Sequence, residues 1–238
     1  MIGQSGSAMA GRMAAGPDKL SAMPDASAAA LGVADYGNLG GNAYDKYHTR
    51  NPIARRLMSG FLTAFDDLVA LAAPADAYEI GCGEGELSLR LLRRDIQASG
   101  FDLEAEVVTQ ANASAAAANF GPRFAVRSLY TMTPGEISAD LIVCCEVLEH
   151  LPEPRRALDM IAAQTANYFI FSAPREPLWR ILNLARGKYL PDLGNTPGHL
   201  QHWSAAGFRK LIAARFDIIA VRRPLPWTMV LCRTRNRN

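Results

Sequence analysis

The 238-residue chain has little of what marks a membrane, secreted or metal-finger protein. No apolar run reaches the roughly 18 residues that a bilayer span needs. The opening stretch "MIGQSGSAMAGRMAAG" lacks the compact apolar segment of a signal peptide, so a cytoplasmic location is expected. Cysteine is scarce: Cys82, Cys144, Cys145 and Cys232. None shows C-x-x-C spacing, and the adjacent pair cannot readily bridge itself, so free thiols in a reducing compartment are expected. Charge of one sign is also missing. With 25 basic and 23 acidic residues the net charge is +2, too mild to call for a nucleic-acid partner. No glycine-rich segment ends in Gly-Lys-Ser/Thr, which excludes a P-loop.

Large apolar groups are sparse over residues 1–34, which are mostly Ala, Gly, Ser, Met and Pro. Such a segment cannot bury enough surface to offset its chain entropy, and a disordered tail is expected there. Residues 35–238 then form one domain. Asn51 and Pro52 suit a helix start, and Ile53, Leu57, Phe61, Leu62, Phe65, Leu68, Val69 and Leu71 follow at helical spacing, ending before Pro74. Beyond this helix, strands and helices alternate. "AYEIG" reads as a strand, "GELSLRLLRR" as a helix, "QASGFDL" as a strand and "EAEVVTQANASAAAANF" as a helix. "RFAVRSL" is a third strand, and "ADLIVCCEV" has the continuous apolar character of a strand buried on both faces. A helix, the strand "NYFIFSAP" and a last helix opening at Ser204 follow, and "DIIAVRRPLPWTMVLCR" supplies two strands around a tight turn. The pattern predicts an α/β fold, a doubly wound, seven-stranded and mostly parallel sheet with an antiparallel last strand. Residues 175–203 are longer than an ordinary connection and read as a substrate-side insertion.

The segment "EIGCGEG", residues 79–85, lies between the first predicted strand and its helix. A glycine turn there forms a cradle for an anion or a nucleoside. Its G-x-G-x-G spacing departs from the G-x-G-x-x-G of dinucleotide folds. Glu79 two residues before Gly81 opposes a pyrophosphate at this point and suits a cationic ligand group. Asp102 ends the next strand, where a carboxylate can accept both ribose hydroxyls.

Three stretches, "YEIGCGEGELSLRL", "GFDLEAEVV" and "ADLIVCCEVLEHLPEPRRAL", resemble successive motifs of class I S-adenosylmethionine-dependent methyltransferases. The resemblance runs over about residues 44–233 and is nearest to the branch with ubiquinone-biosynthesis O-methyltransferases and natural-product methyltransferases. It implies S-adenosylmethionine as cofactor, S-adenosylhomocysteine as product and a small-molecule acceptor. Gly81, Gly83 and Gly85 would admit the cofactor to the backbone, with Glu79 near its ammonium, Asp102 on the ribose and Leu103 against the adenine. Ser128 and Leu129 stand at the adenine edge, and Cys145 and Glu146 beside the methionine part. An "NPLR"-like stretch of that branch points to Arg50, with Arg55 and Arg56 as alternatives because "NPIARR" is one residue longer.

An oxygen or nitrogen acceptor must lose a proton, and His150 and His199 are the candidate bases. Trp179, Tyr189, Trp203 and Trp227 could wall an acceptor pocket, under a lid of Tyr36, Tyr44 and Tyr47. Two rivals stand beside this reading. RNA 3′-terminal 2′-O-methyltransferases carry a metal on a similar "E-x-x-E-H" stretch and a later histidine, which Glu146, Glu149, His150 and His202 could imitate. A non-catalytic cofactor-binding protein is the other. The leading reading expects no metal, no nucleic acid and no membrane span, and leaves a homodimer open.

Overall fold

The computed structural model describes residues 51–185, 187 and 189–235. The expected tail, Arg50 and the tyrosines of the expected lid lie outside the described residues. The first helix, α1 (Pro52–Ala72), begins as its sequence dictates. Asn51 Oδ1 accepts from the N–H groups of Ile53 (2.9 Å) and Ala54 (3.2 Å), satisfying two donors that the first turn leaves open. It stops at Ala73, whose left-handed φ of 44° lets its N–H reach the Val69 carbonyl. Phe61, Phe65, Leu68 and Val69 form its buried stripe.

The remaining elements alternate: β1 (Asp76–Ile80), α2 (Glu86–Leu92), β2 (Gln97–Asp102), α3 (Ala105–Ala117), β3 (Phe124–Val126), β4 (Ser138–Cys145), α4 (Pro154–Ala162), β5 (Thr165–Pro174), α5 (Leu178–Ala185), α6 (Ala205–Ala213), β6 (Phe216–Arg222) and β7 (Trp227–Thr234). One seven-stranded sheet has the order β3-β2-β1-β4-β5-β7-β6. β1 to β5 run parallel, and β7 inserts antiparallel between β5 and β6. The expected architecture is thus observed.

Period-two alternation divides the core into two layers. Leu141 and Val143 of β4, Ile170 of β5 and Met229 and Leu231 of β7 join α1 and α2 on one face. Ile142 and Cys144, Phe169 and Phe171, and Val230 pack with α4 and α6 on the other. Both faces of β4 are covered, which is why its sequence is apolar without interruption. All four cysteines are buried and unpaired. Among the described residues no helix is long and apolar enough to cross a membrane.

Gly100 makes the centre of the sheet tight. It sits opposite Glu79 in the β1–β2 register, and a methyl group on it would collide with the Glu79 carbonyl oxygen. Backbone cannot step aside as a side-chain tip can. Gly100→Ala is therefore expected to cost about 3 kcal/mol, seen as a lowered urea midpoint.

Strand order reverses between β1 and β4, so a crevice opens at their carboxyl ends. The loops after β1, β2, β3 and β4 meet there. The 175–203 insertion reaches the same end, its stem closed by the Glu176 N–H donating to the Trp203 carbonyl (2.9 Å).

Candidate active site

The loop after β1 is pinned to β2 by the N–H groups of Gly81 and Cys82, both donating to the Phe101 carbonyl at 2.9 Å. Gly81, Gly83 and Gly85 all have left-handed φ values of 72°, 52° and 80°, a conformation glycine adopts without strain. Their surroundings separate them. A Cβ on Gly81 would collide with the Val147 side chain, and one on Gly85 would lie 2.9 Å from the Phe124 ring. Those two glycines serve internal packing. A Cβ on Gly83 would meet nothing within 4 Å, so Gly83 presents bare backbone to open space. Asp102 adjoins it. Its Oδ2 accepts from the Gly83 N–H (2.8 Å) and its Oδ1 from the Glu104 N–H (3.1 Å). The carboxylate is half-buried and retains lone pairs beyond those two bonds.

Glu79 has a different task from the one its position suggests. It is 4% exposed, and its Oε2 accepts from the Ser88 N–H (3.0 Å) and the Ser88 hydroxyl (2.5 Å). Ser88 lies in the first turn of α2, whose cap residue, Gly85, has no side chain to offer. Glu79 thus caps α2 from the neighbouring strand. Burial pushes its carboxyl up to about 8, against the two Ser88 bonds and with the charges of Asp102 and Glu86 adding to the rise. A carboxyl that keeps its proton near neutral pH repels a phosphate little, so the electrostatic argument against a pyrophosphate does not survive burial. Ser88 is the partner sequence reading missed; a serine three residues after the capless Gly85 was its signal.

Downstream, Leu103 is half-buried beside Asp102. Ser128 is buried, its Oγ accepting from the Tyr130 N–H (3.3 Å) at the start of a 3-10 turn, Leu129–Thr131. Leu129 packs in the core with Phe101. At the end of β4, Cys145 is buried in the other layer. Glu146 has a left-handed φ of 60°, uncommon for a residue with a side chain and frequent at functional sites. The turn aims its carboxylate at the far half of the sheet. Oε2 accepts from the Trp227 indole N–H (2.6 Å) and Oε1 from the Ser172 hydroxyl (3.0 Å).

The insertion folds back onto the next turn, Leu148–His150. The N–H groups of Leu200 and Gln201 both donate to the Glu149 carbonyl (2.8 and 2.9 Å). His150 Nδ1 lies 3.0 Å from the Gly198 carbonyl. That oxygen can only accept, so Nδ1 carries the hydrogen. Gly198, whose carbonyl this is, has a left-handed φ of 85° that favours glycine. His150 and His199 meet edge to face with centroids 4.8 Å apart. Trp179 stacks on His199 at 5.9 Å and reaches Trp227 at 5.7 Å. Its indole N–H donates to the Thr196 hydroxyl (2.8 Å). The two histidines proposed from sequence are thus brought together, with Trp179 and Trp227 continuing the same wall. Tyr189 is half-buried within the insertion, whereas Trp203 packs on Phe208 in the core (5.9 Å).

The four-residue set Glu146, Glu149, His150 and His202 does not assemble. Glu146 turns to Trp227, and His202 Nε2 lies 2.6 Å from Asn195 Oδ1 and 3.2 Å from the Arg180 guanidinium. His199 stands with Glu149 and His150 instead.

Residues 78–166 match the profile of a family described as a methyltransferase domain. The ubiquinone biosynthesis O-methyltransferase of Xanthomonas axonopodis pv. citri (strain 306) is 26% identical over 150 residues, 61% of this chain and 59% of that one. A protein of the same name from Coxiella burnetii (strain Dugway 5J108-111) is 28% identical over 85 residues, 36% of each chain. The chain therefore spans about three-fifths or less of the length of these relatives. Among solved structures, the magnesium protoporphyrin IX methyltransferase of Synechocystis PCC 6803 with bound SAH aligns with a TM-score of 0.59 at 19% identity, over 79% of this chain and 89% of that one. The [4+2]-cyclase SpnF aligns with a TM-score of 0.57 at 16% identity, over 82% and 86%. At such identities the likeness is one of fold. Residues 78–166 thus match a methyltransferase domain, and the chain shares its fold with solved methyltransferases.

Proposed function

We propose that the protein transfers the methyl group of S-adenosylmethionine to an oxygen or nitrogen of a small-molecule acceptor, a specialised metabolite, glycan or lipid-linked precursor, and releases S-adenosylhomocysteine. The observation that carries this reading is Gly83, bare backbone facing open space beside the Asp102 carboxylate. The pair suits an adenosine cofactor, because the ribose hydroxyls can donate to lone pairs that the Gly83 and Glu104 N–H groups leave available. The cofactor's sulfonium supplies an activated methyl carbon. The protein's share is to hold it, orient the acceptor and exclude water. The names of the curated relatives favour oxygen as the receiving atom.

On the acceptor side we place the 175–203 insertion, Trp179 and Trp227, with His150 and His199 serving the acceptor's deprotonation. Glu146 fixes the Trp227 indole and so shapes that wall. A non-catalytic cofactor-binding protein on this fold is the alternative, and cofactor binding without methyl transfer to any acceptor class would favour it.

Asp102→Asn tests the cofactor half. It keeps an oxygen for the loop but removes the charge that ribose hydroxyls bond to. Hydrogen bonds to charged groups contribute about 1.5–3 kcal/mol, so S-adenosylhomocysteine affinity should fall about 10- to 100-fold by isothermal titration. Unchanged affinity in a folded variant would sink the ribose assignment. Methyl transfer itself is tested by screening acceptor classes for S-adenosylhomocysteine release.

A further inference from the structure

We infer that the pocket between α1 and the β6–β7 turn is an anion site that binds a phosphate or diphosphate group. Arg56, Ser59, Thr63 and Asp67 line it from α1, Arg222 from the end of β6 and Arg223 from the turn that follows. Its volume is about 430 Å3, within the roughly 300–1,000 Å3 of small-molecule sites.

Three features point to an anion. The first is charge. Three guanidinium groups share the pocket with one carboxylate. Asp67 Oδ2 accepts from Arg222 Nε at 3.2 Å, whereas Arg56 and Arg223 have no carboxylate partner among the described residues. Guanidinium groups offer paired N–H donors that match phosphate oxygens. The second is register. The α1 residues stand three or four apart and so share one face of the helix, where the Ser59 and Thr63 hydroxyls add donors. The third is Gly60, which lies inside α1 and lines the same pocket. Glycine is a poor residue for a helix interior, and protein packing does not demand it here. A Cβ would meet only the Pro224 Cβ, at an ordinary 4.0 Å. Bare backbone on a pocket wall suits the close approach of a ligand.

The pocket adjoins the acceptor wall. Phe61 follows Gly60 and meets the Trp227 ring edge-on, with centroids 5.1 Å apart. Trp227 follows the turn that carries Arg223 and pairs with Pro174 at the carboxyl end of β5, the end of the sheet at which the crevice opens. An acceptor lying along Trp227 can therefore place a phosphate among these arginines. The acceptor is on this ground a phosphorylated or diphosphate-linked compound. That assignment rests on the methyl-transfer reading; the binding of the anion does not.

The test titrates the full chain with pyrophosphate by calorimetry at low salt. Saturable binding is expected, weakened about tenfold or more in Arg56→Ala and in Arg223→Ala, as loss of a hydrogen bond between charged groups implies. Unchanged melting temperatures report that both variants are folded. Asp67→Asn should tighten binding, because it removes the carboxylate from the pocket and releases Arg222. A role in folding alone would not reverse the sign. Arg155→Ala, exposed on α4 in the other layer, should change nothing. Absence of saturable binding to the native protein overturns the inference. So does binding that neither pocket arginine affects, or that Arg155→Ala weakens as much. Competition between pyrophosphate and S-adenosylhomocysteine would place the anion in the cofactor crevice and likewise overturn it. Among acceptors that release S-adenosylhomocysteine, Arg223→Ala should raise KM for a phosphorylated compound and not for its dephosphorylated form. An equal effect on both would overturn the acceptor assignment and leave a site for free phosphate. Native protein that binds pyrophosphate in this way but not S-adenosylhomocysteine would uphold the anion site and defeat the methyl-donor reading alone.

Discussion

Gly83→Val is expected to weaken S-adenosylhomocysteine binding by about 100-fold or more, close to 2.7 kcal/mol, while leaving the chain folded. The added Cβ enters open space rather than protein, so its two methyl groups occupy the region assigned to the cofactor. The change has an intrinsic cost, because a β-branched residue at φ 52° is strained by about 1–2 kcal/mol. That strain lowers the melting temperature modestly but cannot by itself remove ligand affinity. Gly85→Ala provides the contrast. Its smaller Cβ is driven to 2.9 Å from the Phe124 ring and 3.1 Å from the Ala111 Cβ, between a strand and a helix that cannot both retreat. It should lower the melting temperature more than Gly83→Val does. Titration and thermal melting of the two variants, side by side, separate a glycine that faces a ligand from one that faces the core. Retained affinity in folded Gly83→Val would show that no ligand lies over this loop.

That distinction marks how far sequence can be read here. The alternation of elements, the uninterrupted apolar β4 and the Asn51 cap follow from local rules. Periodicity and capping depend on neighbours a few residues apart. The same rules place three glycines in the loop but do not say which way each Cα faces, because Val147 comes from the turn after β4 and Phe124 from β3. Nor do they bring His199 to His150. That contact depends on the insertion closing on itself and fastening to the Glu149 carbonyl, a tertiary event with no local pattern. His202, the later histidine of the metal rival in "GHLQHWS", is drawn instead to Asn195 and Arg180. Glu146 is similar: its type suggests an acid at the site, but only its φ of 60° turns the carboxylate towards Trp227.

Glu79→Gln is expected to remove a pH dependence of stability that the native protein carries. The Glu79 carboxyl is pushed up to about 8 from an ordinary value of 4.5, first by burial. In the unfolded chain it titrates near the ordinary value. Between those limits the folded state holds a proton that the unfolded state has released, so stability falls as pH rises. The contribution is fully present below about pH 4.5, declines at up to about 1.4 kcal/mol per pH unit, and is lost once pH has risen through about 8. Glutamine imitates the protonated acid. Its oxygen can still accept from the Ser88 N–H and hydroxyl, so the α2 cap is kept, and it has no proton to lose. Urea unfolding of both proteins at pH 5, 7 and 9 should therefore show Glu79→Gln gaining on the native protein as pH rises, most of the gain falling before pH 8. Parallel profiles would mean that Glu79 ionises normally in the folded protein, and would restore it as a charge facing the ligand. A diverging profile makes it a buried acid that fixes the start of α2. The loop that presents Gly83 is then held by a neutral hydrogen-bonded cap, and ligand choice in the crevice passes to Asp102.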